Sequence, residues 1–185
     1  KQNISIEDYK KLRANTIAIY PWLSILKAQR HTMTHINNLT KFIPNIQKNI
    51  SQLETLCCYI VFYQNDAFYS KKNINEYNFI HILNTNSNKP ISWAIKQLNI
   101  EYEQLTNEFL TQITTIKKNI NTLFTQQRNN HNSSPKNHLN SHLFNSIQHT
   151  NEYIELLNKI NYGNLMILRE NERYTHIKAK PNTPT

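Results

Sequence analysis

From Pro90 to Phe124 the chain sets Ile91, Ile95, Leu98, Tyr102, Leu105, Phe109, Ile113, Ile116, Ile120 and Leu123 at steps of mostly four and three. At about 100° per residue these side chains fall within one narrow stripe, the pattern of an α-helix with a single buried side. Pro90 suits the first helical position, where its missing N–H is not needed, with Asn88 or Lys89 at the cap. A helix over about 90–124 is roughly 50 Å long at about 1.5 Å per residue, and it cannot bury its stripe alone. Other helices must lie along it.

Gly163 is the only glycine among 185 residues. That excludes turn-rich β architecture, dinucleotide folds and phosphate-cradling loops, all of which need glycine where the backbone turns sharply or approaches a ligand. The fold class expected is therefore all-α, an antiparallel helical bundle around the one long helix. Before that helix, Ile6, Tyr9, Leu12 and Ile17 suggest a short helix broken near Pro21, and Trp22, Leu26, Met33 and Ile36 a second segment reaching Asn38. Phe42 to Tyr63 reads as a strong helix with Ile43, Ile46, Ile50, Leu53, Cys57 and Ile60 on one face, and Ile74 to Leu83 as a shorter one. Asn129, Asn130, Ser133, Ser134 and Pro135 make 126–137 a flexible linker and the best boundary between an N-terminal domain, 1–125, and a C-terminal helix, 138–170. That helix is expected from Leu139, Leu143, Ile147, Ile154 and Leu157, and 171–185 as a disordered basic tail.

The formal charge is +9, from 21 Lys and Arg against 12 Asp and Glu, which favours a polyanionic partner. Its distribution is more informative than its sum. No acid lies between Tyr9 and Leu53, where Lys10, Lys11, Arg13, Lys27, Arg30, Lys41 and Lys48 stand. A second acid-free interval, Phe109 to Asn151, carries Lys117, Lys118, Arg128 and Lys136. Tyr59, Phe62, Tyr63, Phe68 and Tyr69 cluster just before Lys71 and Lys72. Rings beside lysines suit single-stranded nucleic acid, since bases stack on rings while ammonium groups meet phosphates. The plainer reading is that these rings close one end of the core.

Cys57 and Cys58 are adjacent in an apolar helical pattern, which disfavours a disulfide between them and fits reduced, buried thiols in the cytoplasm. No secretory leader is visible, and the longest apolar run, Leu56 to Tyr63, is too short to cross a bilayer. His138, His142 and His149, with Glu152 nearby, share the polar side of the last helix, but one helix rarely supplies a complete metal site. His31 and His35 lack the glutamate of the helical protease motif. No nucleophile–base arrangement stands out, so neither an enzyme nor a cofactor or metal is expected.

Several stretches resemble the primosomal replication protein PriC family. Ile46-Gln47-Lys48-Asn49-Ile50-Ser51-Gln52-Leu53-Glu54-Thr55-Leu56 is similar to that family's opening helix of spaced leucines, and Asp66-Ala67-Phe68 to its short segment ending in Leu-Phe. Ser92-Trp93-Ala94-Ile95-Lys96-Gln97-Leu98 with Tyr102-Glu103-Gln104-Leu105 follows its long helix, and Gln148-His149-Thr150-Asn151-Glu152-Tyr153 with Leu157 and Ile160 its Gln-His, aromatic and Leu sequence. The likeness rests on order and spacing; residues 1–40 have no counterpart in it. It implies a helical protein that binds single-stranded or forked DNA at stalled forks, assists the replicative helicase and meets the tail of single-stranded-DNA-binding protein. On that reading Phe68, Tyr69 and Trp93 stack bases, the cations above meet phosphates, and Tyr153, Lys159, Arg169 and Arg173 serve the partner contact. Glu155 and Leu156 stand where the family has two arginines for that contact. The alternative is a helical protein-interaction module whose basic faces are only solvated; a membrane-surface role would need an exposed apolar face flanked by lysine.

Overall fold

The computed structural model describes residues 4–69, 78–130 and 137–170, with side chains for all of these but 69, 128–130, 137–140 and 170. These residues fold entirely into helices and their connections: α1 Ile6–Thr16, α2 Ile19–Gln29, α3 Thr32–Thr40, α4 Ile46–Tyr69, α5 Phe79–Ser87, α6 Ile91–Asn130 and α7 Asn137–Glu170. Local chemistry sets the boundaries. Ser5 caps α1 by accepting the Asp8 N–H, and Glu7 and Asp8 sit in the first turn, where the helix dipole favours anions. Asn78 caps α5 by accepting from the His81 N–H at 2.9 Å.

Glycine is missing from the tight turns, so ordinary residues take the left-handed backbone there. Ala18 (φ 63°) separates α1 from α2, His31 (φ 51°) separates α2 from α3, and Asn88 (φ 52°) ends α5. Two expectations shift as a result. The first helix breaks at Ala18 instead of near Pro21, which is accommodated in the first turn of α2 because its missing N–H has no partner there. The segment expected from Trp22 to Asn38 is two helices. Pro44 likewise keeps Phe42 and Ile43 out of α4, which starts at Ile46 and runs on to Tyr69. Residues 70–77, which include the expected start of the short helix at Ile74, lie outside the described residues.

The core has two connected parts. Leu23, Ile36, Leu39 and the first half of α4 pack with Phe109 to Leu123 of α6 and Leu143 to Leu157 of α7. Tyr9, Phe62, Tyr63, the whole apolar side of α5, and Ala94 with Leu98 form the other. Helix α4 joins both parts and touches all six other helices. Its run Leu56–Tyr63 is apolar all round, as a helix enclosed on every side must be. The stripe of α6 faces the core from Leu98 to Leu123, with Tyr102 and Leu105 partly buried, but Ile91 and Ile95 face out at 46% and 42% exposure. There the small Ala94 turns inward against α5 and Trp93 packs beside it. The linker expected at 126–137 is shorter, since α6 continues to Asn130 and α7 begins at Asn137. No helix among the described residues is long and apolar enough to cross a membrane.

Candidate nucleic-acid interface

The helix register brings the two acid-free intervals together. Gln112 of α6 donates to the Asn49 carbonyl of α4, and Gln64 of α4 donates to the Tyr102 hydroxyl of α6, so these helices run antiparallel. Tyr153 meets Glu54 and Asn161 meets Cys57, so α7 runs parallel to α4. Consequently the second half of α6 and the first half of α7 lie at the end of the bundle where α4 begins. Helix α3 packs there too: Asn38 donates to Ser146 Oγ at 3.3 Å, and the rings of His35 and His149 stack 4.2 Å apart, 16° from parallel. Residues 30–50, 110–130 and 141–150, none of them Asp or Glu, therefore share one end, the acid-free end, bordered by Glu108 beside Lys48 and by Glu152 and Glu155 beside Arg30. Glu7 and Glu101 lie toward the other, beside Lys10 and Tyr63.

The candidate cations divide into two groups. Lys10, Arg13, Lys27 and Lys117 are drawn into ion pairs within the fold. Lys10 Nζ lies 2.8 Å from Glu101 and 5.5 Å above the Phe79 ring. Arg13 forks onto Asp66 through Nε and Nη2, at 3.1 and 2.7 Å. Lys27 reaches Glu54 at 3.0 Å, and Lys117 pairs with Glu155. By contrast Lys11, Arg30, Lys41, Lys48, Lys118, Lys159 and Arg169 are exposed. Of these, Arg30, Lys41, Lys48 and Lys118 belong to the acid-free end.

The rings expected to stack bases are not on that end. Phe62 and Tyr63 are buried in the second core part, with Phe62, Tyr63 and Phe79 rings 4.3 to 6.2 Å apart. Tyr59 packs partly buried against them, Phe68 is partly buried, and Trp93 is half-covered beside α5. The plainer reading of this cluster, closure of the core, matches its packing. Helix α4 is enclosed, so consecutive aromatics on it have nowhere to go but inward. The Tyr153 ring, assigned to partner contact, is 1% exposed and donates to Glu54 at 2.7 Å, so it cannot meet a partner on this fold. Lys71, Lys72, Lys136 and Arg173 lie outside the described residues, as do the side chains of Tyr69, Arg128 and His138.

Three rings not singled out by their surroundings in the sequence take their place. Phe42 and Phe124 are 42% and 40% exposed, and Phe144 meets Phe124 edge-on at 5.1 Å. All three stand at the acid-free end. A groove of about 760 Å³ between α6 and α7 is lined by Phe124, Phe144, Ile147 and Leu156 together with Arg30, Lys159, Glu152 and Glu155. Phe124 follows the last residue of the α6 stripe, Leu123, and lies off it. Its exposure depends on where α7 stops covering α6, and that is a tertiary fact.

Two buried carboxylates also escape a sequence reading. Asp66 accepts from Tyr9 Oη at 2.7 Å, from Arg13, and from the Phe79 N–H at 2.9 Å. Glu54 accepts from Lys27 and Tyr153. Burial, reinforced by the adjacent carboxylates, drives the Tyr9 and Tyr153 hydroxyls far above the ordinary tyrosine range. Both hubs are fully engaged in holding helices together. Cys57 and Cys58 are free thiols, both buried; Cys57 donates to Asn161 Oδ1 at 3.1 Å. Burial pushes the Cys58 thiol up to about 12, far from a reactive thiolate. No protein family, curated protein or solved structure compared with the chain matches it.

Proposed function

We propose that this chain is a cytoplasmic, non-enzymatic binder of single-stranded nucleic acid that acts as an accessory factor of replication restart. The observation that carries the binding is the convergence of both acid-free intervals on one end, where Arg30, Lys41, Lys48 and Lys118 are exposed beside Phe42 and Phe124. A polyanionic strand gains there from phosphate neutralisation and counterion release, and of the bordering carboxylates Glu155 is paired with Lys117 and Glu152 accepts from Gln148. The place at stalled forks, the helicase as client and single-stranded-DNA-binding protein as partner come from the PriC resemblance alone. Lys159 and Arg169 are exposed on α7 and remain candidates for that partner contact.

Fluorescence anisotropy with short labelled oligonucleotides tests the reading. Single strands should bind at low salt, and log K should fall by about 0.7 per neutralised phosphate for each unit of log salt. Absence of binding at low salt overturns it. A second reading, a helical interaction module, is favoured by one feature: Trp22 and Ile25 leave α2 with an apolar outer side, 43% and 56% exposed. That reading predicts association with a protein that persists after nuclease treatment and at high salt.

A further inference from the structure

We infer that the groove between α6 and α7 seats one unpaired base of a bound strand, with Phe124 as the stacking face. This rests on the nucleic-acid reading above and adds the element that would let the protein prefer single strands. A cationic surface alone holds duplex and single strand alike, because phosphates are common to both. Selectivity for single strands needs an accessible ring, since only an unpaired base can leave its neighbours and lie on one. The Phe62, Tyr63 and Phe79 rings at the other end of the bundle are packed inside and the exposed Tyr162 there lines no groove with a second ring among the described residues, whereas Phe124 keeps 40% of its surface exposed at the acid-free end. Phe144 holds it edge-on from across the groove, at 63° between the ring planes.

The rest of the groove suits a base more than a helix from another protein. Asn121 lies one turn before Phe124, and Asn151 lines the groove from α7, though its side-chain oxygen is itself buried. An amide carries both donors and an acceptor, so the exposed Asn121 can meet the polar edge of a base. Arg30 in the groove lining and Lys118, one turn from Asn121 on α6, are placed for the flanking phosphates. Glu152 and Glu155 also line the groove, and each is engaged by a neighbour, Gln148 and Lys117 respectively. The volume, about 760 Å³, falls in the range of small-ligand sites.

The test uses the full chain, a fluorescein-labelled oligothymidylate and a blunt duplex, at low salt. Phe124→Ala removes the stacking face from an exposed site, and should lower single-strand affinity by about 5- to 100-fold while leaving the duplex value unchanged. Phe124→Tyr keeps a ring and should keep the affinity. Lys118→Gln should weaken both ligands by the same factor. If Phe124→Ala leaves single-strand binding intact, or weakens both ligands equally, the base seat is wrong while the cationic surface stands. If the unaltered protein binds neither ligand, the function proposed above falls and the seat with it.

Discussion

Replacing Asp66 with alanine should be the most damaging single change in this protein, and its cost can be worked from the contacts. The carboxylate is 1% exposed and gathers α1, α4 and the start of α5 by accepting from Tyr9, Arg13 and the Phe79 N–H. Removing it leaves a buried hydroxyl and a buried amide without acceptors, each worth about 1 to 3 kcal/mol. It also leaves the Arg13 guanidinium, whose side chain is 25% exposed, without its anion. These losses overlap, and breaking a buried pair from one side costs about 3 to 5 kcal/mol in all. For a chain of this size that corresponds to a drop of about 6 to 20 °C in Tm. Urea unfolding followed by far-UV circular dichroism reads the free energy directly. Tyr9→Phe, which removes only one donor, should cost about 1 kcal/mol by the same assay. A loss below about 1 kcal/mol for Asp66→Ala would show that the hub does not hold the three helices, and the account of the second core part would have to be redrawn.

Two smaller predictions concern α7 and its packing. Gly163 is helical and a Cβ there meets nothing within 4 Å, so Gly163→Ala should raise stability by about 0.5 to 1 kcal/mol in the same urea experiment. His35 is held below the ordinary imidazole range, chiefly by burial, with His149 and His31 adding repulsion. Its neutral form is favoured in the fold, so the stability it contributes is complete above the unfolded value of about 6.5 and is lost as pH falls through the lower folded value. Stability measured from pH 7 down to 5 should therefore fall more steeply in the unaltered protein than in His35→Gln; identical slopes would mean that the stacked imidazoles are not coupled to folding.

Helix type and the core-facing side were legible where a pattern repeats over many turns, as in α6 from Leu98 to Leu123. They were not where one neighbour decides the rotation: Ala94 turns inward because α5 packs close there, and Ile91 and Ile95 are left outside. Turns were misplaced because, with glycine absent, Ala18 and His31 adopt a backbone that residue type gives no reason to expect. The candidate site was legible as intervals without acids, which are a property of the chain. Which cations stay available was not, because Arg13 finds Asp66 and Lys10 finds Glu101 across distances that only the folded topology fixes. The aromatic run beside Lys71 misled for a related reason: where α4 is enclosed, Phe62 and Tyr63 are buried and cannot double as a platform.

The central claim is that affinity for a polyanionic strand belongs to the acid-free end. Two variants with equal charge removed would test it by the salt dependence of single-strand binding, one carrying Lys41→Gln, Lys48→Gln and Lys118→Gln, the other Lys11→Gln, Lys89→Gln and Lys96→Gln at exposed sites elsewhere. The first set should flatten the slope of log K against log salt by about 2 and weaken binding strongly, and the second should leave the slope nearly unchanged. Equal effects from both sets would contradict the claim, leaving a cationic surface with no preferred end.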